Sequence, residues 1–150
     1  YEPFELPGRR MNTSRGWEIF PRIIYDMAMR IKNDYRNIDW FVAESGMGVE
    51  NEAQFRNRDG IIDDAYRIAF ISEHLYYTLL AREAGANCHG YMLWAFTDNV
   101  SPMNAFKNRY GLIEIDLENH RARRAKKSAS WFRQLRDERV LTLSVDDEWK

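Results

Sequence analysis

The fold is constrained most by two short apolar segments, residues 38–44 and 88–98, that each end in a carboxylate. Neither segment alternates strictly between apolar and polar residues, which is typical of strands covered on both faces in a parallel sheet. Between them, residues 64–83 carry apolar side chains at steps of three and four, and this spacing predicts a helix. The order strand, helix, strand predicts a right-handed βαβ unit of an α/β protein.

The flanking segments complete the predicted order of elements. The patterns predict a helix over residues 16–34, with Thr13 or Ser14 as its cap, and a closing helix over 126–139. Composition predicts loops over residues 51–63 and 99–109 and a basic turn over residues 118–124. Alternation of apolar and polar residues predicts a short strand over residues 110–116.

Two core strands cannot form a stable parallel sheet alone, because both faces and both edges would be open. Either the pattern misses further strands of this chain, or this stretch belongs to a larger sheet whose other strands lie outside these residues. A closed (β/α)8 barrel takes about 250 residues, and this chain would fit about its last quarter or third.

Composition excludes several classes of protein. The 22 basic and 23 acidic side chains nearly balance, so no overall field indicates a nucleic acid or an anionic membrane, and the basic run at 121–127 is best explained as a solvated turn. The single cysteine, Cys88, allows no internal disulfide and fits a reducing cytoplasm. The three histidines lack the spacing of a metal site, and no apolar run approaches the roughly 18 residues of a membrane span.

The candidate functional residues follow the two predicted strands, because ligands of α/β folds bind at the carboxyl ends of the strands. Glu44 ends the first strand, and Trp94 and Asp98 end the second. Gly46 and Gly48 allow a sharp turn and a close approach to a ligand. The pattern leaves alternatives open: Glu44 as a capping or ion-paired acid, Trp94 as a core residue, and Asp98 as a turn residue.

Several separate motifs resemble glycoside hydrolase family 1, the β-glucosidase family. In chain order they are GWEIFPRIIYDMAMRIKNDY, FVAESGMG, DDAYRIAFISEHL, GYMLWAFTDN, NRYGLIEID and RRAKKSASWF, and they run from about residue 16 to 135. The resemblance implies the last part of a (β/α)8 barrel, about strands seven and eight with their helices. It also implies hydrolysis of β-glycosides with retention and without a cofactor.

The resemblance also assigns roles to residues. It implies that Glu44 is the nucleophile at the end of strand seven. Ala43 and Ser45 stand where the family usually has threonine and asparagine. Trp94 becomes the tryptophan that lines the sugar site. The family's acid/base lies in an Asn-Glu-Pro motif, which is absent from these 150 residues, and the chain begins with Tyr1 rather than methionine. We therefore expect residues 1–150 to be one segment of a longer barrel domain.

The loop at residues 99–111 resembles the 6-phospho-β-glucosidase branch of the family. Ser101 stands where many β-glucosidases have a glutamate that binds sugar hydroxyls, and a serine suits a phosphate better. Tyr110 matches a tyrosine of the branch's phosphate site, but Asn108 occupies its lysine position, one residue after Lys107. The cation is thus Lys107 or Arg109, and the alternative is a plain solvated loop.

These resemblances imply the partners. We expect a phosphorylated disaccharide or an aryl β-glucoside as substrate, a bacterial cytoplasmic location, and neither nucleic acid nor membrane as a partner. A homo-oligomeric full-length enzyme is compatible with the sequence. The second hypothesis is a non-catalytic half-barrel or sugar-binding module that lacks the acid/base.

Overall fold

The computed structural model describes residues 7–143, in which eight strands and three helices form. The strands are β1 (Met11–Asn12), β2 (Trp17–Glu18), β3 (Trp40–Ser45), β4 (Val49–Glu50), β5 (Cys88–Leu93), β6 (Asn108–Arg109), β7 (Ile113–Asp116) and β8 (Ala122–Ala125). The helices are α1 (Ile23–Asp34), α2 (Ala65–Glu83) and α3 (Lys127–Glu138), and a 3₁₀ turn covers Glu52–Phe55.

The centre of the fold is the parallel pair of β3 and β5, which α2 connects. The register pairs Trp40 with Cys88 and Ser45 with Leu93, so both strands end at the same edge. This confirms the predicted βαβ unit. Because strand direction is shared, the residues that follow β3 and β5 meet at one edge of the sheet.

Small residues let the helices pack closely behind this pair. Ala28 of α1 and Ala81 of α2 are both fully buried and form one cluster with Ala86. Tyr25, Met29 and Trp40 pack against this cluster. A second cluster, of Ile19, Met47, Val49 and Tyr66 with Phe70, lies under the segment that follows β3.

Large apolar side chains on and after the two strands are uncovered. Phe41, Met92 and Phe96 are 55%, 52% and 70% exposed, respectively. Exposed large apolar side chains on neighbouring strands are typical of a face that packs against other protein. The pair therefore has the character of one part of a larger sheet.

The prediction for residues 16–34 is wrong at its amino-terminal end. Residues 11–18 form the antiparallel hairpin of β1 and β2, and α1 begins at Ile23. Gly16 has a φ of +67°, which suits a turn rather than a helix. Ser14 does not cap α1, since its Oγ accepts a hydrogen bond from the Glu50 backbone N–H at 3.1 Å.

The prediction for residues 88–98 is too long, because the backbone changes partner after Trp94. The Trp94 N–H still donates to the Ser45 carbonyl at 2.8 Å, but the Ala95 N–H turns to the Tyr110 carbonyl at 3.4 Å. The strand predicted over residues 110–116 begins only at Ile113. The basic turn predicted over residues 118–124 instead runs into β8, which pairs antiparallel with β7. The predicted loop 99–109 likewise ends in β6, which pairs with β4.

No helix within residues 7–143 combines the length and the apolar character needed to cross a bilayer.

Candidate active site

Glu44 lies next to the last residue of β3, and its side chain is exposed. Within residues 7–143, no hydrogen bond or ion pair engages its carboxylate. This geometry does not match the capping or ion-paired acid that the pattern also allowed. An exposed carboxylate without a partner is available to a ligand.

The turn after Glu44 is held against Trp94. Gly46 packs so tightly there that a Cβ atom on it would lie 1.7 Å from the Trp94 carbonyl oxygen. Ser45 adds a second link, because its Oγ accepts a hydrogen bond from the Tyr91 hydroxyl at 2.8 Å. Burial raises the pKa of Tyr91 to about 12, so this hydroxyl keeps its proton and remains a donor.

The next glycine brings Tyr110 into the same cluster. A Cβ atom on Gly48 would lie 2.3 Å from Cζ of Tyr110, so the phenol ring lies directly on the glycine backbone. The Gly48 carbonyl accepts a hydrogen bond from the side-chain amide of Asn12 at 3.0 Å. The segments that carry Glu44, Trp94 and Tyr110 therefore pack together at the carboxyl ends of β3 and β5.

Ser101 lies in a tight turn of the loop that follows Trp94. Its backbone exchanges two hydrogen bonds with Ala105, at 2.9 and 2.8 Å. Its Oγ accepts a hydrogen bond from the Met103 N–H at 3.2 Å, and the side chain is half-buried. A hydroxyl whose oxygen accepts from the backbone still has its own proton to donate to a ligand.

The three residues at the predicted cation position differ in their surroundings. Lys107 is exposed, with its Nζ 3.2 Å from a Glu50 carboxylate oxygen. Asn108 is buried, at 1% exposure. Arg109 is partly buried, and its guanidinium lies 3.6 Å from the Asp98 carboxylate and donates to the Ile115 carbonyl at 3.2 Å.

A buried ionic network lies beneath this loop, and the sequence analysis missed it. Lys126 has a fully buried ammonium that contacts the carboxylates of Glu52 and Asp98, the latter at 2.9 Å. Arg67 is equally buried and pairs with Glu52 and with Asp64, the latter at 3.0 Å. Buried charges of this kind are stable only when they are paired and hydrogen-bonded.

This network fixes both ends of the loop that follows Trp94. The Asp98 carboxylate accepts hydrogen bonds from the backbone N–H groups of Gly111 at 2.9 Å and Ile115 at 3.3 Å. Arg67 donates to the carbonyls of Arg109 at 3.2 Å and Tyr110 at 3.3 Å. Asp98 is therefore more than a turn residue, because it anchors the segment on which Tyr110 lies.

Metal ligands do not gather at this site. Among residues 7–143, no group of three or more histidine, cysteine, aspartate or glutamate side chains could hold a metal ion.

Comparison with known proteins now places these residues in a family. The family model for Glycosyl hydrolase family 1 matches residues 7–140. The 6-phospho-beta-glucosidase GmuD of Bacillus subtilis (strain 168) is 48% identical over 135 residues, which is 90% of this chain and 29% of that protein. The 6-phospho-beta-galactosidase of Clostridium acetobutylicum is 38% identical over 149 residues, covering 95% of this chain and 30% of that protein.

The fold agrees with solved structures of the same family. The Family 1 b-glucosidase from Thermotoga maritima, in complex with isofagomine lactam, matches with a TM-score of 0.81 at 24% identity. The match covers 93% of this chain and 30% of that one, so the chain spans about 30% of the length of its relatives. The chain belongs to glycosyl hydrolase family 1 and has the fold of one part of a (β/α)8 barrel.

Proposed function

We propose that this chain is the part of a retaining 6-phospho-β-glucosidase that supplies the nucleophile, Glu44, and much of the sugar-phosphate site. The observation that carries the proposal is the exposed, unpaired Glu44 carboxylate at the start of a turn whose Gly46 packs on Trp94 and whose Gly48 packs on Tyr110. The names of the similar proteins, a 6-phospho-beta-glucosidase and a 6-phospho-beta-galactosidase, support the substrate class.

The chemistry requires two carboxyl groups about 5–5.5 Å apart. In the first step the Glu44 carboxylate attacks the anomeric carbon while the second carboxyl protonates the leaving oxygen, which gives a covalent glycosyl-enzyme. In the second step water attacks that carbon, the bond between the carbon and Glu44 breaks to release the carboxylate, and the same second carboxyl group, now ionised, accepts the proton of the water. The Asn-Glu-Pro motif is absent from this chain, so the acid/base would come from another part of the barrel.

Trp94 would provide a surface for the sugar ring. It is 41% exposed, and its backbone is fixed to the residue that follows Glu44. An aromatic face next to the nucleophile would hold the apolar face of a pyranose and so orient its anomeric carbon.

The 6-phosphate would be bound by the loop at residues 101–110. Ser101 and Tyr110 would donate their hydroxyl protons to phosphate oxygens, and the exposed Lys107, whose Nζ lies 3.2 Å from Glu50, would add positive charge to the loop. Asn108 would orient this loop from its buried position. A sugar phosphorylated on entry into a bacterial cell would place the enzyme in the cytoplasm.

The main test replaces the nucleophile in the complete protein. Glu44→Gln should abolish turnover of 4-nitrophenyl 6-phospho-β-glucoside while binding of that substrate persists. Glu83→Gln, at the exposed end of α2, is the matched control and should retain wild-type turnover. Unchanged turnover in Glu44→Gln would remove this residue from the mechanism.

A smaller replacement identifies the role more sharply. Glu44→Ala leaves space next to the anomeric carbon, and added azide should then restore turnover by direct attack from the same face. The product would be the α-glycosyl azide, because a single displacement inverts the configuration. A β-azide, or no rescue in a folded variant, would contradict the nucleophile assignment.

A sugar-binding module without catalysis is the second candidate, and the absence of an Asn-Glu-Pro motif favours it. Calorimetry of the 150-residue chain with glucose 6-phosphate distinguishes it from the proposed enzyme segment. A module should bind this sugar alone, whereas the enzyme segment should need the rest of its barrel.

A further inference from the structure

Arg15, in the turn between β1 and β2, is a cation whose charge is not matched by an acid. Its Nη1 donates to the side-chain oxygen of Asn108 at 3.3 Å, and its guanidinium lies 4.3 Å from the centre of the Trp17 ring. Its Nε is buried and has no hydrogen-bond partner among the described residues. No carboxylate within residues 7–143 forms an ion pair with it.

The contact with Asn108 places this cation at the loop of residues 101–110, for which phosphate binding is proposed above. The same Asn108 oxygen accepts a hydrogen bond from the side-chain amide of Asn104, which lies inside the turn that Ser101 and Ala105 close. The hairpin and the Ser101 turn therefore meet at one oxygen atom. The side-chain oxygen of Asn104 is itself buried without a partner among the described residues, so this junction contains a hydrogen-bond acceptor that no protein group engages.

The other cations of the loop are engaged by acids. Lys107 lies 3.2 Å from Glu50, and Arg109 lies 3.6 Å from Asp98. Moving Lys107 to a phosphate would break its pair with Glu50, and moving Arg109 would remove one partner of the buried Asp98, which Lys126 also contacts at 2.9 Å. Arg15 could bind a phosphate without breaking an ion pair.

We propose that Arg15 is the cation that binds the 6-phosphate, in place of the lysine that Asn108 replaces. This inference rests on the proposed function. A guanidinium presents two parallel N–H donors that match two phosphate oxygens, and it loses less hydration than an ammonium when it does so. The Trp17 ring holds the guanidinium plane, and Asn108 fixes its orientation.

The test measures the preference for phosphate in the complete protein. The ratio of kcat/KM for 4-nitrophenyl 6-phospho-β-glucoside to that for 4-nitrophenyl β-glucoside is determined for wild type, Arg15→Gln and Arg15→Lys. Arg15→Gln should lower this ratio by about tenfold to a hundredfold, through the phosphorylated substrate alone, as expected for one charge-assisted contact. Arg15→Lys should recover part of the ratio, because it keeps the charge.

Two further variants separate binding from structure. Arg30→Gln removes an exposed arginine of α1 and should leave both substrates unaffected. The double variant Arg15→Gln/Asn108→Lys moves the cation from the hairpin to β6 and should restore the preference that Arg15→Gln loses.

The outcomes distinguish the inference from the proposed function. A wild-type enzyme that does not prefer the phosphorylated substrate overturns the proposed function and the inference with it. A wild-type preference that survives in a folded Arg15→Gln variant overturns the inference alone. An equal loss for both substrates, without restoration by the double variant, shows a structural role for Arg15 and also overturns it.

Discussion

The carbonyl oxygen of Trp94 lies 1.7 Å from the point that a Cβ atom on Gly46 would occupy. That distance leaves no room for a methyl group, and the obstacle is backbone rather than a mobile side chain. Gly46→Ala must therefore move the turn that follows Glu44 away from Trp94. A displacement of about 1 Å at a reacting group lowers kcat/KM about a hundredfold, and assays with 4-nitrophenyl 6-phospho-β-glucoside measure it.

Gly90→Ala is the matched control for this prediction. A Cβ atom on Gly90, in β5, would meet the nearest atoms of Phe41 and Met92 at 3.7 Å, which is ordinary van der Waals contact. This variant should keep kcat/KM close to the wild-type value. Wild-type activity in Gly46→Ala would mean that the contact with Trp94 does not position the nucleophile.

Lys126→Met should be strongly destabilising. The side chain fits in volume, but the carboxylates of Glu52 and Asp98 would lose a fully buried partner. Breaking a buried ion pair costs about 3–5 kcal/mol, because the remaining charge stays out of water. Urea unfolding of the complete protein, followed by circular dichroism, measures the change in the free energy of unfolding.

The neighbouring lysine offers a control one residue away. Lys127 is about half exposed, and it pairs with Asp63 at 2.8 Å. Exposed pairs contribute about 0–1 kcal/mol, so Lys127→Met should change the free energy of unfolding by no more than that. Equal effects of the two substitutions would show that the Lys126 network does not stabilise the fold.

The parallel pair and its edge residues could be predicted because their signals are local. The apolar runs before Glu44 and Trp94 each span several residues, and a helix of 19 residues between them has a clear period. Once the βαβ unit is assigned, parallel strands bring their carboxyl ends together without further information. The resemblance of the motifs to the family then implied roles for the residues at that edge.

Other features depend on contacts that sequence pattern does not encode. β1 and β2 have two residues each, so they show no periodicity, and the hairpin depends on distant contacts such as Asn12 with Gly48. The pair of Lys126 and Glu52 joins residues 74 positions apart. A charged residue within the apolar face of α2, Arg67, was the available signal for this network, since a buried arginine requires acidic partners.

His74 should make the stability of the protein depend on pH. Burial lowers the pKa of His74, the nearby Arg10 adds to this, and Glu73 together with the hydrogen bond to the Phe70 carbonyl opposes it. Below about pH 6.5 the unfolded chain binds a proton that the folded chain does not. The free energy of unfolding therefore falls with pH through this range and stops falling once the folded histidine is protonated.

His74→Gln isolates this effect, because glutamine can still donate a hydrogen bond towards Phe70 but does not titrate. Urea unfolding at pH steps between about 8 and 5 should give a smaller loss of stability on acidification for the variant than for wild type. Parallel curves for the two proteins would contradict the assignment to His74.

Ser101→Glu should change substrate preference rather than activity in general. A carboxylate at this position repels a phosphate, and it removes the hydroxyl that would donate to it. We expect kcat/KM for 4-nitrophenyl 6-phospho-β-glucoside to fall by about tenfold to a hundredfold, while the value for the unphosphorylated glucoside changes little. Ser130→Glu introduces the same charge on the exposed side of α3 and should leave both values unchanged. Equal losses for the two substrates in Ser101→Glu would argue against phosphate recognition by this loop, because a charge that only disturbs the turn acts on both sugars alike.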